Sequence, residues 1–232
     1  MNFMTWFYET PFTILLAFIA LIIVLAAQAK INKAYRKYQL VENKKKLSGV
    51  EAAKMILEAN GLGDIYVVET RGELTDHYDP TRKVIRLSRK IFHGTSIAAV
   101  SVAAHEVGHA IQDKEGYLFM RIRHALIPFV NLISYLGYFS LIVSVFAGIT
   151  GYIWLSILIL CATLVFQLVT LPVEFDASKR ACNQLEKLNI VDETELSKSK
   201  DMLKAAALTY VASLASTIIN ILRLLIMARD ND

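Results

Sequence analysis

Ala103-Ala104-His105-Glu106-Val107-Gly108-His109 is the stretch on which the reading of this 232-residue chain turns. On an α-helix, residues four apart share a face one turn apart, so His105 and His109 point the same way. Each imidazole can give a nitrogen to Zn²⁺ at about 2.0 to 2.1 Å, while Glu106 flanks the open position where water binds. The metal lowers the pKa of that water, and the carboxylate takes the proton and hands it on to a leaving amine. Around the motif, Ile97, Val100, Val102 and Ala104 read as one buried helix, with Thr95 or Ser96 as its N-cap. Unpaired polar groups in such a helix cost a few kcal/mol each. Two histidines and a glutamate there point to a metal site.

Composition sets the frame. The chain is 55% hydrophobic and carries a net charge of +4, and both the apolar excess and the basic residues are localised. Basic residues bunch just past apolar tracts, which suits an anionic membrane surface rather than nucleic acid. The two cysteines, Cys161 in an apolar tract and Cys182 in a charged one, form neither a disulfide framework nor a zinc ribbon and read as free thiols.

Taken in order, Pro11 to Ala27 is apolar and long enough to cross a bilayer, with Trp6, Phe7 and Tyr8 as interfacial aromatics. A cleaved signal peptide would want positive charge before the apolar core, and only Glu9 stands there. Lys30, Lys33, Arg36, Lys37, Lys44, Lys45 and Lys46 follow instead, so an uncleaved anchor with the succeeding chain in the cytoplasm is expected. Ser48-Gly49-Val50-Glu51 is a capping box opening a helix that ends at Asn60-Gly61. Ile65 to Thr70 and Val84 to Ser88 read as strands, and Thr75 to Pro80 as a polar turn between them. A strand just before the metal helix could pair with an extended substrate and present one amide bond to the metal; a meander with no ligand fits the same residues.

No Asp, Glu, Lys or Arg occurs between Arg123 and Glu174. That length fits two membrane-crossing helices joined by a turn at Gly148-Ile149-Thr150-Gly151. Such a hairpin returns the chain to the side it left, with Arg121 and Arg123 before it and Lys179 and Arg180 after it. The first polar residues to emerge are Glu174 and Asp176. Zinc with one open position needs a third protein ligand, and a carboxylate from a second helix is a standard solution, which makes Glu174 the candidate. Asp176, two positions on, is expected to face elsewhere in a salt bridge. His77 and His93 lie in loop-like sequence, and His124 at the bilayer edge. For the group that steadies an oxyanion, His77, Tyr78 and Arg180 stay open. Ala205 to Ala228 reads as a fourth apolar helix.

With these residues placed, the chain resembles the bacterial neutral zinc metallopeptidase, or membrane protease, family. The resemblance rests on Ser48-Gly49-Val50-Glu51-Ala52-Ala53, Asp76-His77-Tyr78-Asp79-Pro80, the run from Ala103 to Asp113, the run from Leu171 to Ala181, and Ala206-Ala207-Leu208-Thr209-Tyr210-Val211. More distantly it is similar to the membrane gluzincins, including the heat-shock membrane protease and the prenyl-protein endopeptidase. That likeness implies His105, His109 and Glu174 as zinc ligands and Glu106 as the base. The wider pattern has an aspartate four residues after the ligand glutamate, supporting a histidine; here Ser178 stands there.

The resulting expectation is an α-helical integral membrane protein of three to four transmembrane helices with a small α+β catalytic domain on the cytoplasmic side. Its parts are an anchor (1–29), a zinc-binding domain (30–125), a transmembrane hairpin (126–172), a helical segment with the third ligand (173–204) and a C-terminal apolar helix (205–229). The expected activity is zinc-dependent hydrolysis of peptide bonds in membrane or membrane-adjacent polypeptides, at the plasma membrane. The expected partners are the lipid bilayer, a polypeptide substrate and a membrane-protein partner, with no nucleic acid. The alternative is a zinc-bearing scaffold, because the small residues of Ala205 to Ala215 suit helix packing, within the chain's own bundle or with a partner. A metal centre in mid-bilayer fits poorly, since Asp113 and Lys114 follow directly on His109.

Overall fold

The computed structural model describes residues 11–147 and 152–229, with side chains for 11–137 and 153–229. The expected aromatics Trp6 to Tyr8 and the turn at Gly148 to Gly151 lie outside the described residues. In order, the elements are α1 (Pro11–Gln39), α2 (Gly49–Ala59), β1 (Tyr66–Thr70), β2 (His77–Asp79), β3 (Val84–Ser88), α3 (Arg89–Phe92), α4 (Ile97–Lys114), α5 (Leu118–Ala147), α6 (Tyr152–Lys187) and α7 (Glu193–Arg229). They form two compact units: Met1–Gln28 with Ile122–Thr170 and Thr209–Asp232, and Ala29–Arg121 with Leu171–Leu208.

The first unit is helical. Among the described residues, α1, α6 and α7 are long and apolar enough to cross a membrane. Large apolar side chains stand exposed along them, among them Phe12, Leu15, Phe18 and Ile22 on α1 and Trp154, Leu158, Val165 and Leu168 on α6. The segment limits expected at 172 and 204 fall inside α6 and α7, so neither limit is a break in the chain's secondary structure.

The second unit holds the motif. Ser48 opens α2 with a full capping box: its hydroxyl accepts from the Glu51 amide while the Glu51 carboxylate accepts from the Ser48 amide at 2.7 Å. Asn60 closes the helix and Gly61 turns away at φ +62°, a conformation that suits glycine. The sheet is three-stranded in the order β1-β3-β2, with β1 parallel and β2 antiparallel to β3. Here the structure corrects the sequence reading. The strand before the helix that carries the motif, β3, is central rather than an edge, with both faces covered at Val84, Ile85, Leu87 and Ser88. The outer strands are β1 and β2, and β2 lies inside the segment read as a turn. Three residues are too few to display alternation.

Helix α4 runs through the core. Ser96 caps it, accepting from the Ala99 amide at 3.1 Å, and Ala98, Ala99, Ala103, Ala104 and Ala110 are buried along it against Ile56, Leu57, Ile91 and Leu185. Small side chains let neighbours come close, as at Gly108. A Cβ there would sit 2.6 Å from the Ala177 carbonyl oxygen of α6, well inside van der Waals contact. The obstacle is backbone, which cannot swing aside as a side chain does. Gly108→Ala is therefore expected to destabilise the protein by about 1 to 3 kcal/mol, read as a fall of roughly 3 to 10 °C in the thermal unfolding midpoint of detergent-purified protein.

Candidate metal centre

The α4–α6 approach sets three side chains around one point. The His105 and His109 rings lie 4.8 Å apart, centroid to centroid, at 82°. Glu174 Oε2 stands 3.3 Å from His105 Nε2 and 3.6 Å from His109 Nε2. The three ligand atoms fall within 4.8 Å of one another. Ligands at about 2.0 to 2.1 Å from a tetrahedral zinc are spaced about 3.3 to 3.4 Å from each other. The two histidine-to-glutamate separations lie at or near that edge length, and nitrogen and carboxylate oxygen are donors zinc accepts. The donor set fits the ion.

Burial shapes the charges. Glu174 is 3% exposed and His109 7%. Burial alone would push the Glu174 carboxyl up, but the His105 and His109 imidazoles beside it outweigh that and hold the group well below the usual carboxylate range. Glu174 is thus ready as an anionic ligand. Glu106 is buried with less help: desolvation pushes it up to about 7, the Glu174 charge adds to the rise, and His105 and the backbone amide of Tyr78 oppose it. A carboxyl poised near neutrality can both accept and release a proton.

Each imidazole is also held from behind. His105 Nδ1 meets the Ser178 hydroxyl at 3.2 Å, and His109 Nδ1 meets Gln112 Oε1 at 3.0 Å. The Gln112 amide nitrogen donates to the Val173 carbonyl and to Asp176, both at 2.8 Å. Arg180 then bridges Asp176 at 2.5 Å and Glu115 at 2.7 Å. The salt bridge expected of Asp176 is present, but the residue does more than sit at the surface: its carboxylate reaches in to the group behind His109. Sequence reasoning passed over Gln112. The signal was there, since a glutamine three residues after His109 shares its helix face.

The other candidates sit elsewhere. His77 is exposed with its ring on the Thr75 carbonyl, and His93 pairs with Glu69. The Tyr78 hydroxyl donates to Asp113 at 2.9 Å. Both that hydroxyl and the Arg180 guanidinium are committed to carboxylates.

The family model described as "Putative neutral zinc metallopeptidase" matches residues 13–229. A relative from Bacillus subtilis (strain 168), named "Putative membrane protease YugP", is 43% identical over 197 residues, covering 85% of this chain and 88% of the relative. No solved structure matches. The family implies zinc as the cofactor. Glu174→Ala removes the buried anionic donor, so zinc content by atomic absorption after dialysis is expected to fall from about one per chain to near zero, with the helical circular dichroism retained.

Proposed function

The chain belongs to the family of zinc metallopeptidases whose model it matches, and from that premise we propose that it is a membrane-embedded endopeptidase of the gluzincin type. His105, His109 and Glu174 hold the zinc, and Glu106 is the general base. The observation that carries the reading is the convergence of those three donors beside a buried carboxyl whose proton affinity lies near neutrality.

Bound there, zinc supplies Lewis acidity, lowering the pKa of water and polarising a carbonyl oxygen. The Glu106 carboxylate takes the proton from the attacking water and returns it to the nitrogen of the scissile amide, which leaves as an amine. The Tyr78 amide fixes the orientation of that carboxylate. Since Tyr78 lies on β2, which pairs with β3 on one side only, the free sheet edge runs beside the motif. A substrate in extended form can lie along it and bring one peptide bond to Glu106. Folded helices expose no such backbone, so the substrate class is polypeptide that is extended or locally unwound.

The exposed apolar faces of α1 and α6 suit hydrocarbon rather than water, and we place the enzyme in a lipid bilayer. The basic residues beyond the apolar part of α1, with Arg121, Arg123, Lys179 and Arg180 flanking the hairpin, favour a cytoplasmic catalytic unit. The small-residue face of α7 gives no support to a scaffold role, because Ala205, Ala207 and Ala212 are buried within the chain itself.

Two measurements test this reading. Glu106→Gln is expected to keep zinc and to lose cleavage of a casein-like substrate by roughly 10² to 10⁴-fold; chelation should silence the wild type and added zinc restore it, whereas retained proteolysis in the variant removes Glu106 from its role. For orientation, Lys45→Cys in a chain lacking Cys161 and Cys182 should react with an impermeant maleimide only after the cells are permeabilised. Labelling of intact cells reverses the topology.

A further inference from the structure

The hydrogen bonds behind the two histidines differ in what they can specify. Ser178 faces His105 Nδ1 with a hydroxyl, which can donate or accept. It therefore accommodates either tautomer of that ring. Gln112 has no such freedom. Both of its nitrogen contacts, the Val173 carbonyl and the Asp176 carboxylate, are pure acceptors, so the amide must turn its NH₂ toward them. A flipped amide would set oxygen against oxygen twice. Oε1 is then the atom left for His109 Nδ1 at 3.0 Å, and an amide oxygen can only accept. Nδ1 must carry the proton. The Nε2 lone pair is thereby directed toward Glu174 Oε2, 3.6 Å away.

We infer that Gln112 is the positioning residue that fixes His109 in its Nδ1–H tautomer, with Asp176 locking the orientation of the Gln112 amide. The lock extends outward. Asp176 is held by Arg180, one turn on along α6, and Arg180 by Glu115 just past the end of α4. The chain of contacts ties the two ligand-bearing helices together while stating which way each donor points. Gln112 is itself fully buried, so no water competes for its oxygen or its nitrogen, and the other tautomer would set a bare Nδ1 against the Gln112 oxygen, two acceptors face to face. The metal-free protein therefore presents a lone pair where zinc will sit, and no ring flip or proton shift need accompany binding.

This rests on His109 being a zinc ligand, but it can be tested without the metal. The full chain is labelled with ¹⁵N-histidine, stripped of zinc in detergent, and its imidazole nitrogen shifts are read at about pH 8, above the ordinary histidine pKa of about 6.5. His109 is expected to show the Nδ1–H form. Gln112→Met, close in volume and without hydrogen bonds, should move His109 toward the Nε2–H form that a free imidazole prefers and weaken zinc about ten- to a hundredfold in a chelator competition. Ser178→Ala should leave the His109 tautomer unchanged. Asp176→Ala, which leaves Gln112 the Val173 carbonyl, should fall between wild type and Gln112→Met in zinc affinity, and decides the matter if Gln112→Met does not fold. A wild-type His109 in the Nε2–H form overturns the inference, as does a Gln112→Met or Asp176→Ala protein with wild-type zinc affinity. Absence of zinc binding in the wild type would instead overturn the metal-site reading, leaving the tautomer measurement intact.

Discussion

The site depends on a backbone contact: at Gly108, α4 lies against the Ala177 carbonyl of α6 with no space for a methyl group between them. Every distance at the centre follows from that approach. His105 and Glu174 are 69 residues apart in sequence and 3.3 Å apart in space, and a carboxylate side chain is short. A wider gap between the helices could not be spanned by a rotamer change alone. The glycine inside the His-Glu-Val-Gly-His motif thus has a structural role that its neighbours do not share. It is the residue at which one helix reaches the other.

Drawing the helices together encloses polar groups, and the enclosure decides how they behave. Glu106, His109, Gln112 and Glu174 are all buried. Enclosed charges seldom raise stability: well-packed apolar residues in their place would often do as well or better, while removing one partner strands the other. The arrangement here is closed in that sense, each group answering a neighbour, with Glu174 between two imidazoles and Gln112 using both its oxygen and its nitrogen. The exception is Glu106, whose carboxyl meets the Tyr78 amide but no cation dedicated to it. Burial lifts its proton affinity and the neighbouring Glu174 charge adds to the rise, and a carboxyl so placed suits proton transfer better than structure.

Much of this was legible in the chain before any coordinates. The capping box at Ser48, the Ser96 cap, the stop at Asn60-Gly61 and the strands at 66–70 and 84–88 are local events, each decided by residues within a turn or two of one another. The grouping of His105 with His109 is local too. Glu174 was reachable by a longer argument, since an uncharged run of hairpin length has to return the chain to its starting side. What escaped the sequence was relational. β2 is a strand because β3 lies next to it, and nothing in His77-Tyr78-Asp79 alternates for long enough to announce it. The spacing of Gln112 from His109 is local, but the contacts of Gln112 with Val173 and Asp176, and of Ser178 with His105, are pairings across two helices that no spacing along one of them reveals.

The position of Ser178 shows how such pairings can be redistributed. In the wider membrane gluzincin pattern the fourth residue after the ligand glutamate is an aspartate, and a charge there would lie on the His105 side of the centre. This chain has a neutral hydroxyl there and an aspartate two residues earlier, at a position turned by about 160° around the helix. From that position the carboxylate meets Gln112 and Arg180 rather than an imidazole. The anion therefore acts on His109 at one remove, through an amide whose two ends are chemically distinct. An aspartate in direct contact would raise the basicity of the ring and could share its proton; a glutamine transmits direction without taking the proton itself. Orientation of one imidazole is thereby separated from its charge, and the negative charge nearest the donors remains that of Glu174.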